Sequence, residues 1–117
     1  MATLTPTLTL ASTDLTSETL NLSVTDSLTI SKAVKFSRVT TSSSGDTTIL
    51  ANATYTKSYV YLKNLDSSIV INVDFGSQIA IALGGGEFAF FPWESAADVV
   101  VRAASGSPKL EFAAFEA

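Results

Sequence analysis

Alternation of apolar and polar residues across residues 20–30 is the feature that most constrains the fold of this chain. Every apolar residue of the segment occupies an even position: Leu20, Leu22, Val24, Leu28 and Ile30. Side chains of a β-strand point to opposite faces with a period of two, so the pattern predicts a strand with one buried face. Asp26 breaks the alternation and indicates a bulge or an edge position.

The first ten residues follow the same parity. Leu4, Leu8 and Leu10 alternate with Thr, and Pro6 interrupts the series. Proline has no N–H to donate to a β-ladder and is confined to edge strands and bulges. We therefore interpret this segment as an edge strand or an extended arm.

The rest of the chain reads as short strands separated by turns. The predicted strands are residues 34–39, 56–63, 69–75, 78–83, 88–91, 98–103 and 109–115, with turns rich in Gly, Ser, Asn and Asp between them. Residues 69–75 are interpreted as the strand that returns beside residues 56–63 in a hairpin. Within 56–63, Val60 and Leu62 share one face, and Tyr59 and Tyr61 share the other.

This spacing of strands is typical of a sandwich or a barrel. We predict an all-β fold, a single small β-sandwich of jelly-roll-like or immunoglobulin-like type with an extended N-terminal arm or edge strand. Aromatic residues concentrate in the later part of the chain. Residues 1–40 are therefore interpreted as extended N-terminal strands, and residues 46–117 as the denser core of one domain, 1–117.

The residue types limit the chemistry. The chain has no His and no Cys, so Ser–His and Cys–His nucleophile arrangements and thiolate metal sites cannot be built. We predict that the protein is not an enzyme and uses no cofactor and no metal. Two alternatives remain at this point, a carboxylate pair from Glu87 and Glu94 and an oxygen-only calcium site drawn from Asp66, Asp74 and Asp98.

Charge and hydropathy limit the partners. The net charge is −4 and the seven Lys and Arg residues form no basic run, which disfavours nucleic acid. No apolar stretch approaches the ~20 residues of a membrane span, and the N-terminus lacks the pattern of a signal peptide. Charged residues make up only 15% of the chain, against ~25% in ordinary domains. Both β-propensity and partner-covered surfaces explain this low charge.

The aromatic residues near the end of the chain offer a candidate surface. Phe88 and Phe90 share a parity and are expected to point into the core, which directs Phe91 and Trp93 outward. An exposed pair of this kind marks a protein interface or stacks on a sugar. The alternative is that both faces of the sheet are covered, or that Trp93 lies under a loop. The same alternatives apply to Tyr59 and Tyr61.

Several segments resemble a recurring pattern in small virion proteins of tailed phages. They are residues 59–66, 69–73, 83–93, 99–104 and 110–115. The opening residues 1–10, with 12–14 and 24–28, are similar to the N-termini of small structural proteins of marine and cyanobacterial phages. These segments are spread along most of the chain, between residues 1 and 115.

The resemblance implies a virion-associated β-sandwich whose leading role is capsid decoration, that is, a cement protein on the capsid surface. Its expected partners are the major capsid protein and further copies of itself, as a homotrimer, with no nucleic acid and no membrane. The residues expected at the interfaces are Leu4, Leu8, Leu10, Tyr59, Tyr61, Phe91 and Trp93. The alternative is a glycan- or receptor-binding β module of a phage neck, tail or head fibre.

Overall fold

The computed structural model describes residues 1–15 and 17–117, apart from the side chains of residues 32–34. Twelve β-strands hold 58% of the residues and no helix occurs in the described part, which confirms the all-β, sandwich-like fold. The described residues accordingly include no helix able to cross a membrane. Two compact units divide the chain, Met1–Ser31 and Lys32–Ala117.

The strands are β1 Ala2–Leu4, β2 Thr7–Ser12, β3 Leu20–Thr25, β4 Leu28–Ile30, β5 Lys32–Thr40, β6 Thr47–Leu50, β7 Ser58–Asn64, β8 Ile71–Phe75, β9 Gln78–Leu83, β10 Phe88–Trp93, β11 Val99–Ala103 and β12 Lys109–Glu116. The first four belong to the first unit, and the other eight belong to the second.

The first unit is a two-stranded antiparallel ribbon. β1 pairs with β4 and β2 pairs with β3. Ala2 lies opposite Ile30 and Ser12 lies opposite Leu20, so a single register runs through both pairings. The ladder breaks where Pro6 meets Asp26, because Pro6 has no N–H to give. There the Asp26 N–H donates to the Pro6 carbonyl at 3.2 Å.

The second unit is a sandwich of two four-stranded sheets. The front sheet has the order β10-β7-β12-β5 and the back sheet the order β6-β11-β8-β9. One hydrophobic cluster lies between them, to which the front sheet contributes Val60, Leu62, Leu110, Phe112 and Ala114 and the back sheet Ile71, Val73, Val99 and Val101. Each fully buried Val, Leu or Ile stabilises the fold by roughly 1.5–3 kcal/mol.

Three features of the second unit differ from the sequence interpretation. The predicted hairpin is wrong: β8 pairs with β9 and β11 in the back sheet, whereas β7 pairs with β10 and β12 in the front sheet. The connection at residues 65–70 therefore crosses between sheets. β5, which we had grouped with the N-terminal strands, pairs with β12 in the front sheet. β6 was not predicted, because its sequence, Thr-Thr-Ile-Leu, does not alternate apolar and polar residues.

Candidate interaction surfaces

The two carboxylates considered for catalysis lie at opposite ends of one strand. Glu87 immediately precedes β10 and Glu94 immediately follows it, which separates them by roughly 20 Å at the rise of a β-strand. A glycosidase needs its carboxyl groups within about 10 Å. Each also has its own partner: Glu87 accepts the Gly84 N–H, and Glu94 forms an ion pair with Lys57 at 3.1 Å. These two residues cannot act as a catalytic pair.

Two of the three aspartates considered for calcium are engaged separately. Asp66 accepts the N–H groups of Ser68 and Ile69 at 2.9 and 2.7 Å, and Asp98 accepts the Asn52 N–H at 2.8 Å. Asp74 Oδ1 is buried without a hydrogen-bond partner. Across residues 1–15 and 17–117, no three carboxylates lie close enough to hold a metal ion together.

Asp66 makes the stability of the connection at residues 65–70 depend on pH. Backbone hydrogen bonds, first from Ile69 and then from Ser68, lower the pKa of its carboxyl group. The group therefore stabilises the fold above its unfolded pKa of about 3.9, and this contribution is lost as the pH falls through the folded pKa. We expect Asp66→Ala to lower the melting temperature at pH 7 and to have little effect below pH ~2. Thermal melts of both proteins across this range test it, and an equal loss at both pH values would contradict it.

The outward side of the front sheet is an aromatic surface. In the register of β10, β7, β12 and β5, one row across the strands is Phe90, Tyr61, Ala113 and Phe36. The row on one side is Pro92, Tyr59 and Phe115, and the row on the other side starts with Phe88. We call this surface the aromatic face, and its members are Phe36, Tyr59, Tyr61, Phe88, Phe90, Pro92 and Phe115.

Three phenylalanines of the aromatic face are left uncovered in the chain. Phe36 is 68% exposed, Phe88 61% and Phe90 40%, while Tyr59 and Tyr61 are half-buried. Single exposed apolar side chains are common on soluble proteins, but a contiguous apolar patch marks an interaction site. The prediction that Tyr59 and Tyr61 lie on the same face of their strand is confirmed.

The predicted outward orientation of Phe91 and Trp93 is wrong. Both face the core: Trp93 is only 5% exposed and donates its indole N–H to the Ala97 carbonyl at 3.0 Å. The ring of Phe91 packs edge-to-face on Phe75 with centroids 5.5 Å apart. The other parity of β10, with Phe88 and Phe90, forms the outward surface. Both parities of this strand are apolar, so the sequence pattern could not decide between them.

The outward row of the front sheet that starts with Phe88 is otherwise polar. Next to Phe88 it continues with Lys63, Glu111 and Arg38. Glu111 accepts hydrogen bonds from Arg38 Nε at 3.1 Å and from the Tyr61 hydroxyl at 3.2 Å. Burial and this hydrogen bond to Glu111 raise the pKa of Tyr61. The phenol therefore stays neutral and keeps its donor at physiological pH.

The ribbon carries a second uncovered apolar surface. We call it the ribbon face; its exposed members are Leu8 (43% exposed), Leu10 (45%), Leu20 (37%), Leu22 (45%) and Val24 (52%). The same register places Leu4 and Leu28, both partly buried, on this side. Thr and Ser side chains occupy the other side, where the Thr7 and Thr25 hydroxyls lie 3.2 Å apart. A contiguous apolar patch of this kind marks an interaction site.

One sheet edge lacks the usual protection against strand pairing. The edge strand β5 carries Lys35, whose Nζ lies 5.6 Å from the centroid of the Phe112 ring. The edge strand β10 carries Pro92. Lysine and proline on an edge strand both discourage pairing with another strand. β6 is only four residues long. β9 has six residues with no charge and no proline, and its Ile79 is 63% exposed. β9 is therefore an open template for another strand.

Phe91 and Trp93 line a small cavity at the end of β10. Its volume is about 260 Å³, and its walls are Phe75, Phe91, Pro92, Trp93, Glu94, Ala96 and Ala97. Ligand pockets usually enclose ~300–1,000 Å³, so this cavity is small for a cofactor.

Comparison of the chain with protein-family models, curated proteins and solved structures finds no match.

Proposed function

We propose that the protein is a structural component of a phage virion, a capsid decoration protein that reinforces the head as a homo-oligomer and bridges subunits of the major capsid protein. A bridging protein needs several docking surfaces on each chain. The observation that carries the proposal is that this chain has two uncovered apolar surfaces on separate units, the ribbon face and the aromatic face. Standard interfaces bury ~1,600 Å², and many such copies add by avidity.

The edge of β9 is the candidate contact with the capsid protein. Adding a strand to a free edge gives affinity through main-chain hydrogen bonds and needs no pocket. β9 provides six residues for this pairing. Exposed Ile79 adds apolar contact at the edge.

We expect Ile79→Lys to weaken capsid binding about 10-fold or more, because a lysine on an edge strand opposes strand pairing. The measurement is pelleting of the purified protein with capsids of the encoding phage that lack it. Thr48→Lys is the matched control, since Thr48 is exposed on β6 at the opposite edge of the same sheet. Wild-type protein that does not pellet with capsids contradicts the decoration role, and equal binding by Ile79→Lys contradicts the role of β9.

A glycan-binding module of a fibre or tail is the second candidate. It is favoured by the aromatic face itself, where the row of Phe90 and Tyr61 lies next to the row of Lys63, Glu111 and Arg38. Rings on a flat sheet surface with neighbouring hydrogen-bonding groups suit sugar stacking. Millimolar binding of an oligosaccharide that shifts the Tyr59 and Tyr61 signals in an NMR titration would favour this role over decoration.

A further inference from the structure

We propose that the ribbon face of one copy docks on the aromatic face of a second copy, in a head-to-tail arrangement. This inference rests on the proposed homo-oligomer and names the two surfaces that would form it. Both surfaces are exposed in the single chain. A second copy supplies the missing partner of each surface at once.

The two surfaces match in polarity. The ribbon face presents branched aliphatic side chains, with Leu10 and Leu22 directly opposite each other in the register. The aromatic face presents Phe90 and Phe36 in one row. Aliphatic residues pack well against flat rings. Removal of both surfaces from water is the main favourable term in such an association.

The two surfaces also match in charge. Residues 1–31 contain three carboxylates, Asp14, Glu18 and Asp26, and no Lys or Arg. The outward positions of the front sheet include Arg38, Lys63 and Lys109 against one carboxylate, Glu111. Opposite charges orient two partners and suppress wrong pairings.

Pairing of like surfaces is less favourable on the same grounds. Two ribbons facing each other would bring together six carboxylates, three from each copy, and residues 1–31 contribute no Lys or Arg side chain to offset them. Two aromatic faces would bring together their lysines and arginines. Like charges across an interface disfavour it. The charge distribution therefore favours unlike surfaces, and such a heterologous contact closes into a ring when its rotation allows.

The test is complementation between two single variants. Leu10→Asp removes the ribbon face, and Phe90→Asp removes the aromatic face. Each variant alone is expected to be monomeric by light scattering, with self-association weakened about 30-fold or more. A 1:1 mixture is expected to form a heterodimer, because the Leu10→Asp copy keeps its aromatic face and the Phe90→Asp copy keeps its ribbon face.

Thr9→Asp is the matched control, since Thr9 lies in the same strand on the hydroxyl side of the ribbon, and it is expected to assemble like the wild type. Circular dichroism checks the fold of every variant. Leu22→Asp and Phe36→Asp replace any variant that fails to fold.

Self-association of either variant alone would overturn the inference, and so would a mixture that stays monomeric. Wild-type protein that is monomeric yet pellets with capsids would overturn the inference while leaving the decoration role intact. Wild-type protein that assembles and complements in this way but does not pellet supports the docking and contradicts decoration.

Discussion

Asn64→Asp is expected to lower the free energy of unfolding by about 3–5 kcal/mol, because it leaves an uncompensated charge in the protein interior. Asn64 is fully buried. Its Nδ2 donates to the carbonyls of Ile69, Leu83 and Gly84 at 2.7, 3.0 and 3.1 Å. Aspartate has nearly the same shape, but its ionised carboxylate has no hydrogen to donate and would face three carbonyl oxygens.

Denaturant unfolding at pH 7 measures this effect, with Asn72→Asp as the control. Asn72 undergoes the same substitution in β8, the next strand along the chain, but is only partly buried, so its effect is expected to stay within about 0.5 kcal/mol. The loss at position 64 should shrink in acid, because a protonated carboxyl group regains one donor. A small loss at pH 7, or a loss that does not depend on pH, would show that the three carbonyls do not need Asn64.

Asn64 also shows where sequence reasoning reached its limit. Period-two alternation predicted most of the strands correctly, because each strand buries one face and exposes the other. The same residues could not reveal the sheet to which a strand belongs. Asn64 was interpreted as part of a turn, yet it is the last residue of β7 and is buried where the chain crosses to the back sheet. Two of its three acceptors, the carbonyls of Leu83 and Gly84, lie 19 and 20 residues away in sequence, and no local pattern records them.

The inward and outward faces of β10 were predicted wrongly for a related reason. Alternation fixes the inward face of a strand only when one parity is polar. β7 meets this condition with Tyr59 and Lys63 on one side and Val60 and Leu62 on the other. In β10 both parities are apolar, and the choice depends on its pairing with β7, in which Phe91 lies beside Val60 and Phe90 beside Tyr61. The register of β10 on β7 therefore decides which side chains form the aromatic face. Its first pair, Phe88 and Lys63, directly follows the turn between β9 and β10.

Gly85→Ala tests that turn, and is expected to lower the free energy of unfolding by about 3 kcal/mol. A Cβ at Gly85 would overlap the Ser67 carbonyl group and lie 2.6 Å from the Ser68 nitrogen, where non-bonded atoms need about 3.5–4.0 Å. The atoms that block the alanine methyl group are backbone atoms of Ser67 and Ser68. A side-chain rearrangement therefore cannot make room, and the turn itself must move.

Gly45→Ala is the control, because a Cβ there meets nothing within 4 Å. It is expected to be neutral or slightly stabilising, and equal stability of the two variants in denaturant unfolding would contradict the close packing at Gly85. Asn64 bonds to the carbonyl of Gly84, the residue before Gly85. Substitutions at such neighbouring sites are not additive in general, so the free-energy loss of the double variant, Asn64→Asp with Gly85→Ala, is expected to differ from the sum of the two single losses. The hydrogen bond of Asn64 to Gly84 and the close packing at Gly85 then hold the turn before β10 together, as one cooperative unit. A substitution that disturbs this unit would also disturb the aromatic face.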